Sequence, residues 1–262
     1  MILRLLSAAL AAGFLAAVVT TGLELTLTSP LIIAAEAYET QGTQRAAQAS
    51  PAGLPIVPAH DVHARVVQAR IVQVHAGHDH GAPSAAPAWQ PGEGLPRMAF
   101  TGLATLVGAV GYALLLGAVM LACGRTPTPE TGLAFAVAGF ASVALAPGLG
   151  LPPELPGSAA APLAARQAWW VMTAAPTGMG LYLIGVRRSL IAILGGLVLI
   201  VVPHVAGAPQ PPAETSELPA ALAAQFAARS LAVSFVFWAL IGLGLGWAWQ
   251  GFSARGREAA RA

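Results

Sequence analysis

The 262-residue chain is strongly apolar, with 56% hydrophobic residues, 9% charged residues and a mean hydropathy of +0.69. Soluble domains usually carry about 25% charged residues, so a soluble globular class is excluded. The net charge of +2 gives no basis for nucleic-acid binding. The single cysteine, Cys123, excludes an intrachain disulfide framework and a Cys-based zinc site. We therefore expect an integral membrane protein whose metal ligands, if it has any, are His, Asp, Glu, Met or backbone oxygens.

The fold class is predicted to be all-α, with about six transmembrane helices, because a helix needs about 20 apolar residues to cross a bilayer. The six apolar segments are residues 5–27, 98–122, 132–145, 168–185, 189–202 and 226–249. The third and fifth are short and end near Pro147 and Pro203, so five spans is the alternative count. Residues 1–262 are expected to form a single polytopic membrane domain.

The first segment begins with Arg4 and a long apolar run. A cleaved signal peptide is the alternative interpretation, but the run is longer than an ordinary signal-peptide core, so we expect a retained anchor. In the last segment, Gly242 and Gly246 form a Gly-x-x-x-Gly pair, which predicts close helix packing.

The distribution of arginines predicts the orientation, because short cytoplasmic loops collect positive residues. With a cytoplasmic N-terminus and six spans, the inner segments hold seven arginines and two glutamates, whereas the outer segments hold six arginines and eight acidic residues. Both termini are therefore predicted to be cytoplasmic. Residues 28–97 are predicted to form a long extracytoplasmic loop, rich in Ala, Pro, Gln and Gly and largely flexible.

That loop carries five of the six histidines of the chain within 21 residues. Neutral imidazoles and carboxylates bind divalent cations, so the loop is predicted to bind metal; a solvated loop without a specific ligand is the alternative. The candidate metal ligands are His60, Asp61, His63, His75, His78, Asp79 and His80. Because the imidazoles must be neutral, binding is expected to weaken below about pH 6.5.

Two ionisable residues at the outer ends of spans are candidates for an ion path. Glu24 lies in the first span, with Thr21 and Thr28 on the same side at helical spacing; an intramembrane carboxylate is costly and is a functional candidate by default. The alternative is that Glu24 reaches the membrane surface. His204 ends the fifth span, where it is either an ion ligand or a helix-end residue.

The segments "ELPGSAAAPLAARQ" and "ELPAALAAQFAARS" repeat a glutamate and an arginine at the same spacing. This duplication predicts that spans three to six form two repeated helical hairpins. Glu154 in the first copy is a candidate for the ion path, as part of a ring of carboxylates. The alternative is that Glu154 and Glu217 favour helix starts, while Arg166 and Arg229 anchor the spans at the membrane surface.

No catalytic constellation is present in the sequence. It contains neither a phosphate-binding glycine loop nor a Ser or Cys nucleophile with a plausible partner. We therefore expect that the protein is not an enzyme.

The order and spacing of "PLIIAAEAYE", "HAGHDHG", "APGLGLPPELPG" and "VPHVAGAP" resemble the CbtA family of predicted cobalt transporter subunits. The resemblance implies a bacterial or archaeal membrane protein linked to cobalamin-regulated cobalt uptake, with a small single-span CbtB-like partner. It also implies that Glu36 and Glu39, like the histidine cluster, belong to family motifs, which adds both glutamates to the candidate ion path.

The main hypothesis is a multi-pass subunit of a cobalt importer in a bacterial cytoplasmic membrane, with an outward histidine loop that captures the ion. Cobalt is then the transported substrate, and no fixed cofactor is expected. The expected partners are the lipid bilayer and the CbtB-like subunit, with homo-oligomer formation left open and no nucleic acid. The alternatives are a membrane-anchored metal sensor or assembly factor that does not transport, and a structural scaffold with an incidental histidine loop.

Overall fold

The computed structural model describes residues 1–49, 91–92, 94–211 and 218–259. The seven candidate ligands between positions 60 and 80 lie outside these residues. Within the described part of the chain the secondary structure is helical, without strands. The α-helices are α1 (Ile2–Leu23), α2 (Ser29–Ala49), α3 (Leu95–Ala122), α4 (Pro129–Phe140), α5 (Ala146–Gly150), α6 (Leu163–Tyr182), α7 (Leu190–Ala206) and α8 (Ala220–Ala259). Three π-helical turns join or extend them at Glu24–Thr28, Ala141–Leu145 and Leu183–Arg187.

The first helix is much longer than the predicted first span. The π turn Glu24–Thr28 connects α1 directly to α2, so residues 29–49, predicted to begin the outer loop, continue the helix. Pro30 does not end it, and the proline lies two residues after the π turn within one continuous helix. Leu31 and Ala35 of α2 are buried with Leu155 of the segment before α6, which gives this extension a small apolar core of its own.

The α1 helix is the centre of the bundle and packs between α3 and α8. Small residues permit the close approach: Ala8, Ala9, Ala12 and Ala16 are at most 1% exposed. A Cβ built on Gly13 would lie 2.7 Å from the Cα of Val110 in α3. Packing through small residues is typical of membrane helices, which gain little from burying large apolar side chains away from lipid.

The α4 and α8 helices approach at the level of their backbones. A Cβ built on Gly242 would lie 2.4 Å from the carbonyl oxygen of Gly132, and one on Gly246 would lie 2.3 Å from the backbone nitrogen of Pro129. The packing predicted from the Gly-x-x-x-Gly pair of α8 is confirmed.

Consecutive helical passes run antiparallel. Arg4 of α1 donates a hydrogen bond to Ser253 of α8, which places the end of α8 beside the start of α1. We call this side of the bundle, with residues 123–128 and 187–189, the terminal face. The side carrying α2, the start of α3 and the segment before α6 is the opposite face. Both ends of the described chain therefore lie on one face, as an even number of passes requires.

The predicted all-α membrane class is confirmed. Among the residues that the structure describes, four helical stretches are long and apolar enough to cross a membrane: Ile2–Tyr38, Leu95–Ala122, Pro129–Gly150 and Ala220–Ser253. The helix Leu190–Ala206 is apolar but shorter, and α6 corresponds to the remaining predicted span. The predicted pairing of the last two spans differs from the packing, because α7 packs against α6 whereas α8 packs against α1 and α4.

Candidate ion-binding cavity

A polar cavity of about 600 Å³ lies between α1, α3 and α8, toward the opposite face. We call it the Glu24 cavity. Its polar lining consists of one carboxylate, one guanidinium and seven hydroxyl-bearing side chains: Glu24, Arg97, Thr20, Thr28, Ser29, Thr101, Thr105, Ser230 and Ser234. Because the surrounding helices are strongly apolar, this concentration of side-chain oxygens distinguishes the cavity from the packed part of the bundle.

The backbone around Glu24 is held by the π turn that begins at this residue. The carbonyl oxygen of Glu24 accepts a hydrogen bond from the backbone N–H of Ser29 and another from the hydroxyl of Thr28, at 3.0 Å. Single π turns within α-helices are rare and are frequent at functional sites. Here the turn places the carboxylate where α1 meets the cavity.

The carboxylate of Glu24 is partly buried and has a partner on the neighbouring helix. The hydroxyl of Thr105 in α3 donates to Glu24 Oε2 at 2.8 Å. The hydroxyl of Thr20, one turn before Glu24 on α1, is buried and has no hydrogen-bond partner in the described part of the chain. A buried hydroxyl without a partner is costly. The Glu24 carboxylate and the other hydroxyl groups of the lining give the cavity the chemistry to hold a polar guest.

An ion pair stands where the Glu24 cavity meets the opposite face. Arg97 of α3 lines the cavity and binds Glu36 of α2 through both carboxylate oxygens, with Nη1 donating to Oε2 at 3.1 Å and Nη2 donating to Oε1. Both side chains are 40% exposed, so solvent screens the pair. Arg97 therefore lies between the Glu36 carboxylate, which is outside the cavity, and the oxygen atoms of the cavity lining.

The α8 helix closes the third wall of the cavity and fixes the π turn of α1. Arg229 of α8 donates from Nη1 to the carbonyl oxygen of Leu27 at 3.1 Å. Ser230, the next residue, and Ser234, one turn further along α8, line the cavity. The sequence prediction missed Thr101, Thr105, Ser230 and Ser234, although pairs of hydroxyl residues four apart on apolar helices could have indicated them.

The remaining candidate residues of the ion path lie at a second place on the opposite face. Glu154 accepts a hydrogen bond from Arg166 Nη1 at 2.9 Å, so the glutamate and arginine of the first repeated segment pair with each other. His204 contacts Trp169 edge to face, with ring centroids 5.9 Å apart. Neither Glu154 nor His204 lines the Glu24 cavity.

The two copies of the duplicated segment differ in their contacts. In the first copy Arg166 pairs with Glu154, whereas in the second Arg229 binds a backbone carbonyl of α1. Glu217 lies outside the described residues, and the side chain of Glu39 is also outside them. Among the residues that the structure describes, no group of three or more His, Cys, Asp or Glu side chains converges.

The lining of the Glu24 cavity suits a weakly held cation. Carboxylate and hydroxyl oxygens are hard ligands for divalent cations, and Glu24 is the carboxylate of the lining. A passage must bind an ion strongly enough to admit it and weakly enough to release it. The Glu24 carboxylate and the surrounding hydroxyl groups, with the positive charge of Arg97 in the same lining, attract a cation more weakly than a closed cage of several carboxylates would.

These features define a polytopic α-helical membrane protein with a carboxylate-containing polar cavity inside its bundle. Residues 2–250 match the CbtA family, whose members are described as probable cobalt transporter subunits, and the chain belongs to this family. The resemblance drawn from the sequence motifs is confirmed. The family description names a transporter subunit, with cobalt as the ion to be carried. No curated protein matches the chain, and no solved structure matches it.

Proposed function

We propose that this protein is the membrane subunit of a cobalt importer in a bacterial cytoplasmic membrane, with both termini cytoplasmic. The observation that carries the proposal is the Glu24 cavity, a space between α1, α3 and α8 whose lining includes a carboxylate and seven hydroxyl groups, in a member of a cobalt transporter subunit family. The proposal places the opposite face of the bundle outside the cell, where the histidine-rich segment begins and ends.

In this proposal the ion is first captured by the outer loop. His60, His63, His75, His78 and His80, together with Asp61 and Asp79, supply imidazole and carboxylate ligands. A set of ligands tethered to the bundle raises the local concentration of metal near the membrane surface, in the way that a tethered binding module raises effective concentration. Capture weakens as the pH falls below about 6.5, since protonated imidazole does not bind metal.

The next step brings the ion from the loop into the bundle. Glu36 and Glu39 lie on consecutive turns of the helix that leads away from Glu24. A cation that binds Glu36 competes with Arg97 for its carboxylate, and Arg97 lines the cavity. When the cation displaces Arg97, the cation itself neutralises the Glu36 carboxylate. The displacement therefore opens a route toward Glu24. Glu154 and His204 lie elsewhere on the same face, outside the Glu24 cavity. In this proposal they are additional ligands that the ion can bind there.

The expected partners are the bilayer and a small single-span CbtB-like subunit, and the sequence shows no nucleotide-binding motif that could supply energy. A gradient or a partner protein must therefore drive uptake. Reconstitution of the purified protein in liposomes, with and without the small subunit, tests whether the bundle itself carries cobalt. Binding of metal without any transport under both conditions would instead favour a sensor or assembly factor.

The capture role is tested by uptake of radioactive cobalt in cells at limiting cobalt. His75, His78 and His80 are changed together to Ala, and a matched control changes Gln68, Gln73 and Gln90 to Ala in the same segment. The histidine variant is expected to lose at least tenfold of the initial uptake rate, whereas the glutamine variant retains it. Equal uptake by the two variants at equal membrane abundance would contradict the capture role.

A further inference from the structure

A second cavity, of about 430 Å³, lies between α3, α4 and α6 on the terminal face. We call it the inner cavity. Its walls are mainly apolar and include Leu116 of α3, Phe135 of α4, Leu181 of α6 and Trp238 of α8. A volume of this size falls within the range of about 300–1,000 Å³ that is usual for small-molecule sites. The inner cavity opens at the other end of the bundle from the Glu24 cavity and shares no lining residue with it.

Two arginines line the inner cavity where the helices end. Arg125 follows α3, after Gly124 at a φ of 69°, and Arg188 directly follows the last π turn, in the left-handed region at a φ of 56°. That backbone turn folds the side chain of Arg188 back, so that its Nε donates to the carbonyl oxygen of Gly185 at 2.8 Å. The backbone thus directs the guanidinium toward the cavity rather than away along the loop.

The two guanidinium groups are exposed, and in the part of the chain that the structure describes neither forms an ion pair with a carboxylate. Glu130, the acidic residue of the first turn of α4, does not line the inner cavity. The cavity therefore combines an apolar interior with two positive charges at one end. Guanidinium groups bind phosphate oxygens in a bidentate geometry, and basic pockets between membrane helices bind anionic lipid headgroups.

We propose that the inner cavity binds one anionic phospholipid, with its phosphate at Arg125 and Arg188 and an acyl chain among the apolar side chains. The shape and charge of the cavity match an amphiphile rather than a free anion, since an inorganic phosphate would leave the apolar volume unfilled. The location agrees with a headgroup at the membrane surface, because both arginines lie in loops of the terminal face. This inference does not depend on cobalt transport.

Cys123 gives a readout at the site, because it is the single cysteine of the chain and lines the inner cavity. Delipidated full-length protein in neutral detergent is labelled with a maleimide, with phosphatidylglycerol or phosphatidylethanolamine of the same acyl chains added. Phosphatidylglycerol is expected to slow labelling at least tenfold more than phosphatidylethanolamine. Native mass spectrometry is expected to show one tightly retained phosphatidylglycerol per chain.

Matched variants separate the two parts of the site. Changing Arg125 and Arg188 to Gln is expected to weaken phosphatidylglycerol protection at least tenfold, whereas R187Q, the same change at a neighbouring residue outside the lining, leaves protection intact. G185L adds a large apolar side chain at a lining residue of the cavity and is expected to reduce binding of both lipids. Its control is G195L on α7, since a Cβ at either glycine meets no atom within 4 Å.

Three outcomes would overturn the proposal. They are equal protection by the two lipids, equal loss of protection in R187Q and the double arginine variant, or competition by inorganic phosphate at the concentration at which lipid protects. If the double arginine variant fails to fold in a thermal unfolding scan, G185L alone decides the question. Unchanged lipid protection in folded G185L would then contradict the assignment.

Discussion

The carboxylate of Glu24 is the sharpest place to test the proposed ion path. The substitution Glu24→Gln removes the negative charge but keeps a side-chain oxygen that can accept the hydrogen bond from Thr105, now 2.8 Å from Glu24 Oε2. The packing around the side chain is thus retained, and the change isolates the charge. We expect folded protein at ordinary abundance and a large loss of cobalt uptake.

The size of the loss depends on how strongly the Glu24 carboxylate attracts a cation in the cavity. A carboxylate about 4 Å from a cation attracts it by about 4 kcal/mol per unit of cation charge, at an effective dielectric constant of about 20. Removal of water from both groups opposes most of this attraction. A residual of about 1.4 kcal/mol corresponds to a tenfold change in binding, so we expect at least a tenfold increase in the cobalt concentration needed for half-maximal uptake.

The assay is the initial rate of radioactive cobalt uptake in whole cells over a range of cobalt concentrations, with membrane abundance measured in parallel. Thr105→Val retains the charge of Glu24 but removes its hydrogen-bond donor, so its loss should be smaller than that of Glu24→Gln. Glu130→Gln is the matched control, because Glu130 lies in the first turn of α4, away from the Glu24 cavity. Wild-type uptake by Glu24→Gln at limiting cobalt would refute the reasoning.

Two further predictions concern the helix contacts. Gly132→Ala would place a Cβ 2.1 Å from the carbonyl oxygen of Gly242; the backbones must separate, and we expect a loss of about 1–3 kcal/mol, measured as a lower thermal unfolding midpoint in detergent. Trp170 Nε1 donates at 3.0 Å to the carbonyl oxygen of Val143. Pro147, four residues later, cannot donate to this carbonyl because it lacks an N–H. Trp170→Phe should lower the free energy of unfolding by about 1 kcal/mol in the wild type and by less in a Pro147→Ala protein, and equal losses in the two proteins would show that the proline does not create the need for the indole.

The membrane class, the positions of the helices and the packing glycines of α8 could be predicted from the sequence. Apolar runs of sufficient length have few other stable environments, because the backbone must satisfy its own hydrogen bonds in lipid. Arginine counts and alternating passes predicted both termini on one side, and the contact between Arg4 and Ser253 agrees with that arrangement. The family was predicted from the order of its motifs and confirmed by the match over residues 2–250.

The extension of the first helix beyond residue 28 was not predicted, because the first apolar segment was assigned to residues 5–27 and the outer loop to residues 28–97. The π turn changes the backbone register just before Pro30, and the apolar contacts of Leu31 and Ala35 stabilise the added turns. A proline also follows the second π turn by two residues, at Pro147. A proline at this spacing is a local sequence feature that accompanies the first two π turns. The prediction from apolar segments did not take it into account.

By itself, the sequence determined that Glu24 lies within a membrane helix and that a carboxylate there needs polar neighbours. Only the tertiary structure decided which residues these neighbours are: Thr105 from α3, the serines of α8, and Arg97 paired with Glu36. These contacts join residues far apart in the chain, and their formation depends on how closely α1, α3 and α8 approach through small residues. Periodicity assigns a residue to one face of its own helix, whereas packing decides which other helix that face meets.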